Sequence, residues 1–128
     1  MPDKSIAQRM CIKPDYVLVI LNAPQGYLDT LGNLPEKVTI HANLVSNTDI
    51  IQFFTKSQAE LKENFPILKQ ALKDEGSLWI TYPKRSSKVE TDLNRDIIWQ
   101  IGQHFGLGPV AMISIDSVWA AFRMRKTN

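Results

Sequence analysis

Residues 16–21 read YVLVIL, an unbroken apolar and aromatic run opened by Pro14 and Asp15 and closed by the turn cluster Asn22, Ala23, Pro24, Gln25 and Gly26. A strand that alternates apolar with polar residues buries one side. A continuous run must be covered on both, and the architecture that does this is a mainly parallel sheet between two helical layers. The chain is therefore expected to be an α/β domain built around this strand. The turn leads into a short amphipathic stretch with Tyr27, Leu28 and Leu31 that ends at Gly32, completing a strand-turn-helix unit.

The same pattern continues downstream. Residues 38–44 alternate with Thr39, His41 and Asn43 and read as a weaker strand near an edge. Ile50, Ile51, Phe53 and Phe54 mark a buried strand over 49–54 that feeds a helix, signalled by Ser57 and Glu60 at capping-box spacing. That helix carries Leu61, Phe65, Leu68 and Leu72. Pro66 removes an amide donor from its middle and predicts a kink or two short pieces. Gly76 reads as the helix stop and residues 77–82 as the next strand. Asp92 reads as the start of a helix with Leu93, Ile97, Ile98, Ile101 and Phe105 on one stripe, ended by Gly106 and then Gly108 and Pro109. Residues 110–115 and 118–125 form a predicted hairpin about Asp116 and Ser117. The order implies one three-layer domain over residues 1–128, with a mostly parallel sheet and an antiparallel C-terminal hairpin; residues 1–12 are expected to form a loosely packed N-terminal helix.

With 128 residues and 44% apolar side chains, the chain can bury one core. No apolar run is long enough to span a membrane, and the first residues lack a signal-peptide core, so a cytoplasmic protein without a membrane partner is expected. The single cysteine, Cys11, excludes an intramolecular disulfide and is expected to be buried and inert. A net charge of +2 is well below that of a dedicated nucleic-acid binder.

Ligands of open parallel sheets collect outside the carboxyl ends of the strands. Three loops qualify. The sharpest holds Lys84, Arg85, Ser86, Ser87 and Lys88, followed by Thr91 and Asp92 at the expected helix start. These cations and hydroxyls suit a phosphate, a carboxylate or a nucleic-acid backbone. The loop after the first strand offers Asn22, Gly26 and Tyr27 as a reduced cofactor loop, with one glycine where a nucleotide-binding turn uses two or three. Asp116 and Trp119 are expected to face the basic loop from the hairpin as a pocket wall, a carboxylate and an aromatic plate beside its cations. His41 and His104 fall on different elements. No triad and no metal-ligand spacing is present, so catalytic and metal residues are both assigned as none.

From residue 16 to 125 the element order resembles a shortened methyltransferase of the Rossmann-like, methyl-donor-dependent type. Residues 19–31 (VILNAPQGYLDTL), 78–92 (LWITYPKRSSKVETD) and 115–122 further resemble a bacterial family of small proteins with no established activity. Methyltransferases of this fold typically have a glycine-rich loop after the first strand and an acid ending the second. Residues 22–26 and 41–44 supply neither, so no cofactor is expected and S-adenosylmethionine is disfavoured. The resulting expectation is a non-enzymatic binding module that holds an anionic small molecule or a protein partner on the basic loop. The alternatives are a divergent S-adenosylmethionine-dependent methyltransferase and a weak nucleic-acid binder that adds Arg123, Arg125 and Lys126 to the loop.

Overall fold

The computed structural model describes residues 4–127. Six strands form one sheet: β1 (Val17–Leu21), β2 (Thr39–His41), β3 (Thr48–Phe54), β4 (Leu72–Pro83), β5 (Leu107–Ser114) and β6 (Trp119–Lys126). Their spatial order is β2-β1-β3-β4-β6-β5. The pairs β1–β2, β1–β3 and β3–β4 are parallel, while β6 is antiparallel to both β4 and β5. The architecture is a single α/β sheet domain, mostly parallel with an antiparallel C-terminal hairpin.

Both sides of β1 are covered, as its sequence requires. Val19 joins Ile51, Phe53, Leu78, Ile80 and Phe122 beneath α2 (Gln58–Ala71) and α3 (Arg95–His104). Leu18 and Ile20 join Ile50, Phe54 and Trp79 on the other side, under α1 (Ile6–Arg9) and the crossover residues Tyr27 and Leu31. The first helix is a closed short unit: Ser5 and Gln8 form a complete capping box, and Ile6, Ala7 and Met10 are buried. The expected helix over 1–12 is thus a single turn; residues 1–3 lie outside the described region.

Several expectations are corrected. The stretch after β1 makes only a four-residue 3₁₀ turn, Tyr27–Thr30. Pro66 does not divide α2, which runs continuously from Gln58 to Ala71 because Leu61, Phe65 and Leu68 all anchor it to the sheet. Gly76 is not a helix stop but lies inside β4, where the register with β3 shifts. A Cβ there would fall 2.9 Å from the Asp49 carbonyl oxygen, so glycine allows the close approach of the two backbones. Helix α3 begins not at Asp92 but after Asn94, whose Oδ1 accepts the Ile97 amide at 2.9 Å. Strand β5 starts at Leu107, directly after the left-handed Gly106, because β6 extends far enough to pair with it. Cys11 is exposed rather than buried.

Candidate functional site

The chain leaves β1 toward β2 on one side of the sheet and later returns to place β3 on the other, so the connections diverge from the carboxyl ends of β1 and β3. Such a switch point opens a crevice. Here β1 is followed directly by Asn22, whose backbone is left-handed (φ 60°), and the side chain donates from Nδ2 to the Phe54 carbonyl at 3.2 Å. Asparagine tolerates this backbone better than other side-chain-bearing residues. The Phe54 ring is packed edge-on between Tyr27 (4.8 Å) and Trp119 (5.1 Å), forming an aromatic row along the crevice.

A cavity of 380 Å³ opens at this point, walled by Asn22, Thr55, Lys56, Ser57 and Glu60, with Phe54 and Trp119 as its apolar side. Ser57 caps α2 by accepting the Glu60 amide at 3.0 Å. The reciprocal half of the expected capping box is absent: Glu60 Oε1 accepts the Thr55 hydroxyl at 2.5 Å instead of bonding back to Ser57. A carboxylate is thereby held at the crevice wall. A second cavity of 390 Å³ shares Lys56 and Ser57 with the first and reaches Glu90, Thr91 and Asp92. A third, of 570 Å³, shares those last three residues and continues to Lys84, Arg85 and Lys88. The three make one groove along the carboxyl edge of β1, β3 and β4.

The structure thus brings the three predicted loops to one edge but gives their residues unequal parts. Asn22 and Trp119 wall the crevice. Gly26 is left-handed (φ 82°) with open space beside it. Tyr27 is buried beneath the crevice, where its hydroxyl donates to Gln52 Oε1 at 2.9 Å, and Gln52 Nε2 in turn donates to Thr81 at 3.1 Å. Burial pushes the Tyr27 phenol up to about 12, with the Gln52 hydrogen bond acting the other way. Asp116 is spent locally, its Oδ1 accepting the amides of Val118 (2.8 Å) and Trp119 (2.9 Å). In the basic loop Ser87 closes its own turn by donating to the Lys84 carbonyl, and Ser86, Arg85 and Lys88 are exposed. Thr91 and Asp92 do not open α3. Thr91 donates to the Lys56 carbonyl at 2.6 Å, and Asp92 Oδ1 accepts the Gln58 amide at 2.8 Å, so this pair ties the loop to the start of α2. Arg123, Arg125 and Lys126 lie toward the opposite end of β6 from the groove. Lys126 is bonded to the Leu72 carbonyl and paired with Asp74, so the two basic segments do not form one surface.

Thr55, Lys56, Ser57 and Glu60 were not singled out from sequence as site residues. The available signal was their position: they directly follow the carboxyl end of the buried strand at the switch point. Among the described residues no group of three His, Cys, Asp or Glu side chains is placed to hold a metal. No described helix is long and apolar enough to cross a membrane.

No family model and no curated protein matches the chain. Solved structures do. A ribosomal protein L11 methylase from Lactobacillus delbrueckii subsp. bulgaricus is similar with a TM-score of 0.61 at 10% identity, covering 95% of this chain and 75% of that one. A TehB-like SAM-dependent methyltransferase from Corynebacterium glutamicum gives 0.63 at 11% identity over 98% and 89%. DhpI, in a complex with SAH, gives 0.65 at 9% identity over 94% and 81%. The fold is a methyltransferase-like Rossmann fold.

Proposed function

We propose that the chain is a divergent S-adenosylmethionine-dependent methyltransferase, with the methyl donor held in the crevice between β1 and β3. The observation that carries this reading is the cavity at the topological switch point, the place where this class of sheet binds its ligands. The similarity to methyltransferase structures supports it at the level of fold. It reverses the expectation of no cofactor, which rested on what residues 22–26 and 41–44 lack.

Those departures are real, and the crevice offers other groups for the same ligand. Lys56 matches a carboxylate, Glu60 an ammonium or a ribose diol, and Trp119 the flat side of a purine ring. Asn22 adds an amide, and the left-handed Gly26 leaves the loop beside it free of side chain. S-adenosylmethionine supplies a methyl group already activated on a sulfonium, so the protein's task is to orient an acceptor and exclude water. The groove running from Lys56 toward Lys84 gives that acceptor a route to the crevice.

Calorimetric titration with S-adenosylmethionine and with its demethylated product tests the reading. Saturable heat is expected for both, with the affinity reduced at least about fivefold, or roughly 1 kcal/mol, in Glu60→Gln and Trp119→Phe. No heat at millimolar ligand would sink the proposal. A second reading, an anion-binding module without the methyl donor, is favoured by the three cations lining the 570 Å³ cavity; it predicts heat with phosphorylated ligands alone.

A further inference from the structure

Ser114, the last residue of β5, lies at the same carboxyl edge as the groove and is gripped by two cations from distant parts of the chain. The Arg9 guanidinium, at the end of α1, donates from Nη1 to the Ser114 carbonyl, and Lys84 Nζ donates to the Ser114 hydroxyl at 2.5 Å. A cavity of 530 Å³ opens beside this contact, lined by Lys4, Arg9, Ser114 and Ile115. None of these three cations has an anionic partner among the described residues, whose ion pairs join Lys73 to Asp49, Arg95 to Asp96 and Lys126 to Asp74. In the turn beside Ser114, the Asp116 carboxylate accepts the amides of Val118 and Trp119.

The arrangement is electrostatically incomplete. Arg9 Nε is buried without any acceptor, a condition that a charged guanidinium meets only at a cost in desolvation. Bringing Lys84 onto the same serine adds like-charge repulsion, and among the described residues no carboxylate is ion-paired with either cation. A doubly charged oxyanion in the cavity would offset the positive charge gathered there, because its several oxygens can accept from an ammonium, a guanidinium and a hydroxyl together.

We propose that Lys4, Arg9, Lys84 and Ser114 form a binding site for the phosphoryl group of a small molecule. The site is separate from the crevice and stands whether or not the methyl donor binds there. A phosphate is favoured over a carboxylate because three cations without an ion pair among the described residues exceed what one negative charge neutralises. Arg85 and Lys88, further along the basic loop, extend the positive field on the Lys84 side.

The test is a melting-temperature titration of the full chain with sodium phosphate and with glycerol phosphate, each against sodium chloride at equal ionic strength, repeated on Lys84→Gln and on Lys4→Ala. The wild type is expected to gain about 5 °C over chloride at saturation with at least one of the two. Both variants are expected to lose most of that gain. In low-salt chloride alone Lys84→Gln is expected to melt no lower than wild type, since it keeps a donor for Ser114 and relieves repulsion, whereas a merely structural lysine would melt lower. Lys4 is exposed, so its variant folds whatever becomes of Lys84. An equal response to both ligands identifies free phosphate as sufficient, and a larger one to the ester identifies a phosphomonoester. No gain over chloride in the wild type, or an undiminished gain in both variants, overturns the proposal.

Discussion

The Asn22 side chain reaches across the switch point to the Phe54 carbonyl, tying the carboxyl end of β1 to that of β3 at 3.2 Å. It does so from a left-handed backbone, which costs most L-residues about 1–2 kcal/mol. Asn22→Ala is therefore expected to lose about 1–2 kcal/mol in urea unfolding, and Asn22→Gly only the hydrogen-bond part, about 1 kcal/mol or less. Equal losses would refute the backbone argument.

Tyr27 predicts a pH dependence. Its phenol is held to about 12 in the fold by burial and titrates near 10 in the open chain. The unfolded state thus gives up its proton first, and the contribution, intact below pH 10, is lost as pH rises through 12. The loss amounts to order 2–3 kcal/mol. Burial also raises the Tyr82 phenol, which adds in the same direction. The difference between wild type and Tyr27→Phe isolates the first term: it should shrink as pH climbs from 10 to 12. A constant difference would show that Tyr27 does not titrate with the fold.

Pro66 is an exposed proline within a continuous helix, and it leaves the Lys62 carbonyl without its intrahelical donor. Pro66→Ala is expected to stabilise the protein by about 1–3 kcal/mol, the upper end being reduced by the greater entropy of the open chain. Thermal unfolding measures it, and a variant that melts lower would mean that the ring makes packing contacts worth more than the missing bond.

Asp92 is expected to matter through α2 rather than α3. Asp92→Ala should cost about 1 kcal/mol, the usual loss of a helix N-terminal cap, and should raise amide exchange at Gln58 while leaving Ile97, capped by Asn94, unchanged. Faster exchange at Ile97 alone would restore the reading in which Asp92 opens α3.

Much of the fold was written in local patterns. The unbroken run at 16–21 required cover on both sides, the Ile97, Ile98 and Ile101 stripe required a helix against the sheet, and Asp116 with Ser117 required a hairpin. Each follows from spacing along one segment, as period-two and period-3.6 burial does. Boundaries were less legible. Pro66 should break a helix by its own chemistry, yet contacts at Leu61, Phe65 and Leu68 override it. Gly76 resembles a helix stop, but its reason lies across the sheet, at the Asp49 carbonyl.

The basic loop, the reduced glycine loop and the hairpin were each visible in the sequence as places where ligands collect. Only the strand order brought them to one edge, because segments separated by dozens of residues become neighbours through the parallel pairing of β1, β3 and β4 and the antiparallel pairing of β6 with β4. Tertiary structure also decided which side chains are free there. It spent Asp116 and Asp92 on backbone amides, buried Tyr27 under Gln52, and turned Glu60 toward Thr55 at the crevice. It set Arg9 and Lys84 on one serine. A side chain's type is fixed by the sequence, but whether its hydrogen-bonding capacity remains available depends on which distant backbone groups the fold leaves unsatisfied beside it.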